Sequence, residues 1–145
     1  MPTPVVSKAH SVWSGSLTGG SGTVSLDSSN AATFNVNWKA RSEGEGGTTT
    51  PEELIAAAHA SCFSMALSNE LAENGTPAQE LNASASVSFS LDGGPHISGI
   101  ALDLTASVDG LDDAKFQELA KGAKENCPVS QALKSVDITL NATLS

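Results

Sequence analysis

The feature that most constrains this fold is one helical segment near the middle of the chain, at residues 50–75. It begins with a helix start signal: Thr50 can act as N-cap, Pro51 suits the first helical position, and Glu53 completes a capping box. It closes at Gly75, a residue that readily adopts the left-handed conformation of helix ends. Apolar side chains lie on nearly every side between these ends. The sequence therefore predicts a central helix that is buried all round.

Alternation of polar and apolar residues predicts strands on both sides of this helix. The predicted elements are strands at 9–17, 23–26 and 34–38, a flexible loop at 41–49, the central helix, strands at 83–91 and 102–108 with a hairpin turn at 92–95, a helix at 112–126, a helical turn from 128, and a strand at 136–144. This order predicts an α+β fold. A length of 145 residues without internal repeats predicts one domain, residues 1–145.

Charge and composition exclude several classes of partner. The formal net charge is −9, whereas nucleic acids and anionic membranes require a basic face. The sequence contains neither a signal peptide nor an apolar run that could span a membrane, so we expect a cytoplasmic protein. In that reducing compartment Cys62 and Cys127 are not expected to form a permanent structural disulfide. Their spacing leaves open whether they are catalytic, redox-sensing or inert.

The residue types argue against a metal site. His10, His59 and His96 are far apart, and there is no CxxC motif; His59 and Cys62 together could supply two ligands at most. On composition alone, a cysteine in an alanine-rich helix is more often a small core residue than a nucleophile, and His59 is more often a packing residue. Cys127 precedes a proline that suits a first helical position, so we expect an N-cap whose thiolate the helix dipole favours.

Two longer motifs carry a family resemblance. Residues 50–67 read TPEELIAAAHASCFSMAL, preceded by RSEG at 41–44, and residues 126–133 read NCPVSQAL and run into VDITL. Both resemble the OsmC branch of the OsmC/Ohr family, over the chain from about residue 9 to its end. His59 and Val129 point to this branch, because the organic-hydroperoxide-resistance branch usually has tyrosine at both places. The resemblance implies an OsmC-like fold, with antiparallel sheets around a long buried helix, in an intertwined homodimer.

The resemblance also implies a reaction, the reduction of organic hydroperoxides, and leaves hydrogen peroxide open as a second substrate. It assigns Cys62 as the peroxidatic residue and Cys127 as the resolving residue. Arg41 and Glu52 match the family's conserved pair beside the reactive thiol, where a guanidinium held by a carboxylate stabilises the thiolate. No metal and no bound cofactor are implied. The reductant is an external dithiol, either lipoyl-type or a thioredoxin-like protein.

Helix geometry adds one expectation about the assembly. Glu52 and Cys62 are ten residues apart on one helix, which separates their backbones by ~15 Å. If they share a site, the simplest arrangement takes Glu52 and Arg41 from a second chain, so we expect two composite active sites at a dimer interface. Two other classes stay open: a module that binds a small hydrophobic ligand, and a redox sensor that oxidises without turnover.

Overall fold

This computed structural model describes residues 2–145, which contain six strands and four helices. In chain order they are β1 (Ala9–Ser14), β2 (Ser21–Leu26), β3 (Thr33–Val36), α1 (Trp38–Glu43), α2 (Pro51–Glu73), β4 (Glu80–Ser90), β5 (His96–Ser107), α3 (Asp113–Asn126), α4 (Pro128–Ala132) and β6 (Ile138–Leu144). The α+β class is confirmed. The residues group into two compact units, one ending at Pro51 and one spanning Glu52–Ser145, and the single-domain interpretation stays a prediction.

The first unit is the antiparallel sheet β1-β2-β3 followed by α1. The sequence predicted that the third strand continues to Trp38, and this expectation is wrong. Of the loop predicted at 41–49, residues 41–43 are helical instead, and residues 44–48 lie outside helix and strand. The strand ends at Val36, and the Asn37 side chain then accepts a 2.7 Å hydrogen bond from the Ala40 N–H, which caps a short helix. Gly44 closes that helix in the left-handed conformation, with φ 71°.

The second unit is built on the sheet β4-β5-β6. The predicted hairpin is confirmed, because β4 and β5 pair antiparallel across the turn at residues 91–95. β6 pairs parallel to β5, with Ile100 opposite Ile138, so the expectation of purely antiparallel sheets is wrong. The chain reaches β6 only after crossing through α3 and α4, and such a crossover allows it to return in the same direction.

The helix ends follow the predicted chemistry. Gly75 has φ 81° and donates its N–H to the Ala72 carbonyl, while the next N–H, from Thr76, reaches the Leu71 carbonyl, each at 3.0 Å. This pair of bonds is a Schellman motif, which satisfies two carbonyls at the end of α2. At the start of α3 the Asp112 side chain accepts a 2.8 Å hydrogen bond from a backbone N–H one turn on.

The core of the second unit lies under one face of α2. Phe63, Leu67 and Leu71 follow one another at intervals of four, are fully buried, and pack with Phe116 of α3 and the inward side chains of β5. The opposite face of α2 is exposed, and 71% of Met65 is accessible. The expectation that this helix is buried on all sides is therefore wrong within one chain, because the sheet and α3 cover a single face.

Candidate active site

The two cysteines meet at the junction of three helices. Cys62 lies half-buried near the middle of α2, and Cys127 is completely buried where α3 ends and α4 begins. Both are free thiols, and the Cys127 thiol donates to the Cys62 sulfur, with 2.9 Å between the two Sγ atoms. The prediction that folding brings these residues together, across 65 positions of sequence, is confirmed.

Local backbone chemistry fixes Cys127 from both sides. Its N–H donates to the Ala123 carbonyl at 2.9 Å, which ends α3, and its carbonyl accepts from the Gln131 N–H at 3.0 Å, which begins α4. Pro128 occupies the first turn of α4, as the sequence predicted. A residue shared by two helix ends has little freedom in its backbone, so its side chain has a defined direction.

That direction corrects one expectation. Cys127 does occupy the N-cap position of α4, but its side chain makes no capping hydrogen bond, because the sulfur turns towards α2 and Cys62. The backbone N–H of Val129, in the first turn of α4, instead hydrogen-bonds the Cys62 sulfur. The favourable interaction with a helix start that the sequence assigned to Cys127 therefore acts on Cys62.

These contacts have opposing effects on the Cys62 thiol. Burial of the sulfur is the largest effect and raises its pKa, and the nearby Cys127 raises the pKa further. The Val129 N–H lowers the pKa, but burial prevails and the net shift is upward. A reactive thiolate at this position consequently requires a positive charge beyond these neighbours.

A second buried contact joins the same two segments. His59 of α2 and Ser130 of α4 are both buried, and His59 Nε2 lies 2.7 Å from Ser130 Oγ. Burial lowers the pKa of His59, so the imidazole is neutral at pH 7. Its Nδ1 finds no hydrogen-bond partner among the described residues. The sequence interpretation of His59 as a packing residue missed Ser130, although each residue lies three positions from a cysteine.

The predicted charged pair is distributed over the two units. Arg41 lies half-buried in the last turn of α1, in the first unit. Glu52 lies in the first turn of α2, in the second unit, and is only 5% exposed. It remains ~15 Å along the helix from Cys62, as a helical rise of about 1.5 Å per residue requires. The roles of Arg41 and Glu52 stay predictions.

Neither a metal cluster nor a membrane-spanning helix is found in residues 2–145. No group of three or more histidine, cysteine or acidic side chains could hold a metal ion there. His10 pairs instead with Asp27 at 2.8 Å, and His96 Nδ1 lies 2.8 Å from the Gly94 carbonyl oxygen. Across the same residues no helix combines the length and the apolar character that crossing a bilayer needs.

The fold and the site define an α+β protein in which a half-buried thiol, Cys62, and a buried thiol, Cys127, are in mutual contact. Its family can be stated as well: the chain belongs to the OsmC family, whose model, described as OsmC-like protein, matches residues 44–141. The resemblance drawn from the two motifs is confirmed.

Relatives of this chain extend over nearly its whole length. Peroxiredoxin OsmC of Escherichia coli K12 is 44% identical over 138 residues, which cover 94% of this chain and 95% of that protein. The organic hydroperoxide resistance protein of Xanthomonas axonopodis pv. citri is 32% identical over 143 residues, covering 96% of both chains. The crystal structure of the organic hydroperoxide resistance protein OhrB of Bacillus subtilis matches with a TM-score of 0.69 and 29% identity, over 95% of this chain and 98% of that one.

Proposed function

We propose that this chain is a thiol-dependent peroxidase that reduces organic hydroperoxides, with Cys62 as the peroxidatic and Cys127 as the resolving residue. The observation that carries the proposal is the contact of the two free thiols, with their sulfur atoms 2.9 Å apart. Their burial separates the roles, because Cys62 is a partly exposed residue that a peroxide can approach, whereas Cys127 is completely buried. The names of the relatives support the same activity.

In the first step the Cys62 thiolate attacks the terminal oxygen of the hydroperoxide. The O–O bond breaks, a sulfur–oxygen bond forms, and the alkoxide takes up a proton and leaves as the alcohol. The sulfur is oxidised by two electrons to a sulfenic acid, and the peroxide is reduced by two. The Val129 N–H that bonds this sulfur favours the thiolate from which the step starts.

In the second step Cys127 attacks the sulfur of the Cys62 sulfenic acid. A disulfide forms, the S–O bond breaks, and the hydroxide leaves as water with the proton of the Cys127 thiol. An external dithiol then reduces the disulfide by exchange and is itself oxidised, so the net reaction turns one peroxide and one dithiol into alcohol, water and a disulfide. We propose a lipoyl-type dithiol as the reductant, with a thioredoxin-like protein as the rival.

The missing positive charge is assigned to Arg41, held by Glu52, and both are proposed to come from the second chain of a homodimer. Two observations support this arrangement. Glu52 cannot reach the Cys62 of its own helix across ~15 Å. The exposed face of α2 carries Ala57, Ala58, Ser61 and the 71% exposed Met65 along its middle turns, with no charged side chain among them, and the covered centre of a subunit interface is likewise poor in charged residues.

A mixing experiment tests the composite site. Glu52→Ala and Cys62→Ser are each expected to be inactive alone. After the two variants are mixed and allowed to exchange subunits, a heterodimer has one site in which an intact Cys62 meets an intact Glu52 from the other chain. Recovery of activity supports the shared site, whereas an inactive mixture of confirmed heterodimers means that Glu52 does not act on the Cys62 of the other chain, and the shared site is then wrong.

We propose that the protein works in the cytoplasm, where dithiol reductants keep a thiol pair reduced and ready for oxidation. The two free thiols agree with that environment. In such a compartment, a peroxidase that consumes organic hydroperoxides would act as an antioxidant under peroxide stress.

A coupled turnover assay tests the proposed function. Purified protein is given dihydrolipoamide, or a thioredoxin system, with cumene hydroperoxide, a fatty-acid hydroperoxide or hydrogen peroxide. We expect many turnovers with the organic substrates and none for Cys62→Ser. A single oxidation without turnover under every reductant indicates a redox sensor. Failure of the thiols to react with any peroxide leaves the ligand-binding module as the explanation.

A further inference from the structure

We infer that His59 and Ser130 form a positioning contact, which holds the Cys127 segment against α2 so that Cys127 can resolve the oxidised Cys62. The inference rests on the proposed peroxidase function and adds two residues to it. Neither residue touches the reacting atoms, so their effect is exerted through Cys127 and through the Val129 N–H.

The first argument is that two bonds join the same two segments side by side. His59 and Cys62 are three residues apart on α2 and share one face of the helix. Cys127 and Ser130 are also three residues apart, across the first turn of α4. The contacts His59–Ser130, at 2.7 Å, and Cys62–Cys127, at 2.9 Å, therefore fasten α4 to α2 at two neighbouring points.

The second argument is the cost of a histidine at this position. His59 is completely buried, its Nε2 lies at Ser130, and its Nδ1 has no partner among the described residues. A buried polar atom without a partner is destabilising, and an apolar side chain would fill the same volume without that penalty. Packing alone thus fails to explain the imidazole, whereas its single contact with Ser130 does.

The third argument is what the contact controls in the reaction. Once Cys62 is oxidised to a sulfenic acid, its sulfur carries an oxygen, and the hydrogen bond from the Cys127 thiol is no longer made to a thiolate. The bond between His59 and Ser130 does not depend on the oxidation state of Cys62. It would keep the first turn of α4 in place, with Cys127 beside the sulfur that it must attack, during the interval between the two chemical steps.

The chain offers a matched pair of substitutions for testing this. The amide end of glutamine lies close to where the Nε2 of a histidine would be, whereas the shorter asparagine places its amide near Nδ1. His59→Gln can therefore keep the contact with Ser130, and His59→Asn cannot. Ser130→Ala removes only a hydroxyl group, so it is the variant least disturbing to the fold, and Ser130→Thr retains that hydroxyl.

The readout is the lifetime of the Cys62 sulfenic acid. Reduced protein is mixed with one equivalent of cumene hydroperoxide, and samples taken over time are treated with dimedone and analysed by mass spectrometry. We expect Ser130→Ala and His59→Asn to prolong the sulfenic acid by about tenfold, the effect of losing one buried hydrogen bond. His59→Gln and Ser130→Thr should stay close to the wild type. With excess peroxide, the first two variants should also accumulate more sulfinic acid.

Circular dichroism and urea unfolding of each variant separate positioning from folding. If Ser130→Ala and His59→Asn resolve the sulfenic acid as fast as the wild type, the inference is wrong. It is also wrong if glutamine and asparagine prolong the lifetime equally, because the effect would then follow the loss of the imidazole and not of the contact. A Cys127→Ser protein that forms no sulfenic acid at Cys62 overturns the proposed function, and this is checked before the variants of His59 and Ser130 are compared.

Discussion

Removing one backbone N–H group should make Cys62 measurably less reactive. The group is the N–H of Val129, which hydrogen-bonds the Cys62 sulfur from the first turn of α4. Replacement of Val129 by its α-hydroxy acid turns this amide into an ester, which deletes the N–H and keeps the side chain. Within the first turn of a helix such an N–H has no intrahelical partner, so the helix itself loses no bond.

The size of the effect follows from the bond and from the exposure of the sulfur. A hydrogen bond to a charged group contributes about 1.5–3 kcal/mol. Since Cys62 is only half-buried, we take the lower end of this energy range, about 1.5 kcal/mol. Losing that energy makes the thiolate population about tenfold smaller at a pH below the pKa. A more basic thiolate is a better nucleophile by about threefold. Alkylation at neutral pH should therefore slow by about three- to fourfold.

The assay is the pH dependence of iodoacetamide alkylation, measured for Cys62 in a Cys127→Ser background so that one thiol reacts. The ester variant should show its midpoint at higher pH than the parent. Val129→Ala is the matched control, because it removes the side chain and retains the N–H, and its profile should follow the parent. Superimposable profiles for the ester variant and the parent would refute the reasoning, since the N–H would then make no difference to the thiolate.

Three further predictions concern stability and charge. Phe63→Ala should lower the free energy of unfolding by about 3–5 kcal/mol in urea titrations, because Phe63 is completely buried in the core; a loss below about 1 kcal/mol would contradict that placement. His59 has a pKa lowered from 6.5, so the stability linked to its neutral form is present above that pH and is lost as the pH falls. The urea midpoint should fall more between pH 7.5 and pH 5 for the wild type than for His59→Gln. Equal falls would mean that His59 does not titrate between these two pH values. Arg41→Ala should move the alkylation profile of Cys62 to higher pH without unfolding the protein, and an unchanged profile would exclude Arg41 as the charge beside the thiol.

The sequence predicted those parts of the fold that depend on local chemistry. The boundaries of α2 follow from Pro51 at its start and Gly75 at its end, and those of α3 from Asp112, because caps act within one helical turn. The hairpin between β4 and β5 follows from their alternation and a glycine-rich turn. In α1 the local signal was present as well, in Asn37 and Gly44, but the alternation through Trp38 was given more weight.

Long-range pairing was not predictable in the same way. The parallel addition of β6 to β5 depends on how α3 and α4 carry the chain across the sheet, and alternation within β6 does not reveal its direction. The exposed face of α2 shows the same limit. Its composition indicates a helix covered on all sides, whereas the structure of one chain covers a single face.

The candidate site was predictable in part. The meeting of Cys62 and Cys127 followed from the family resemblance, not from spacing, which left the thiols without an assigned role. The sequence could not show that the helix-start interaction expected for Cys127 acts on Cys62 instead. Whether the first-turn N–H serves Cys127 or Cys62 depends on a side-chain direction set by tertiary packing. His59 and Ser130 were missed as a pair because their contact joins residues 71 positions apart.

One stoichiometric measurement tests the central claim most directly. Reduced protein is mixed with one equivalent of cumene hydroperoxide, the free thiols are blocked, and the alcohol and the peptides are quantified. The account predicts one alcohol per peroxide and a disulfide between Cys62 and Cys127 of the same chain. It further predicts an oxidised Cys62 without a disulfide in Cys127→Ser, and unreacted peroxide in Cys62→Ser. Rapid consumption of the peroxide by Cys62→Ser, through Cys127, would contradict the assignment.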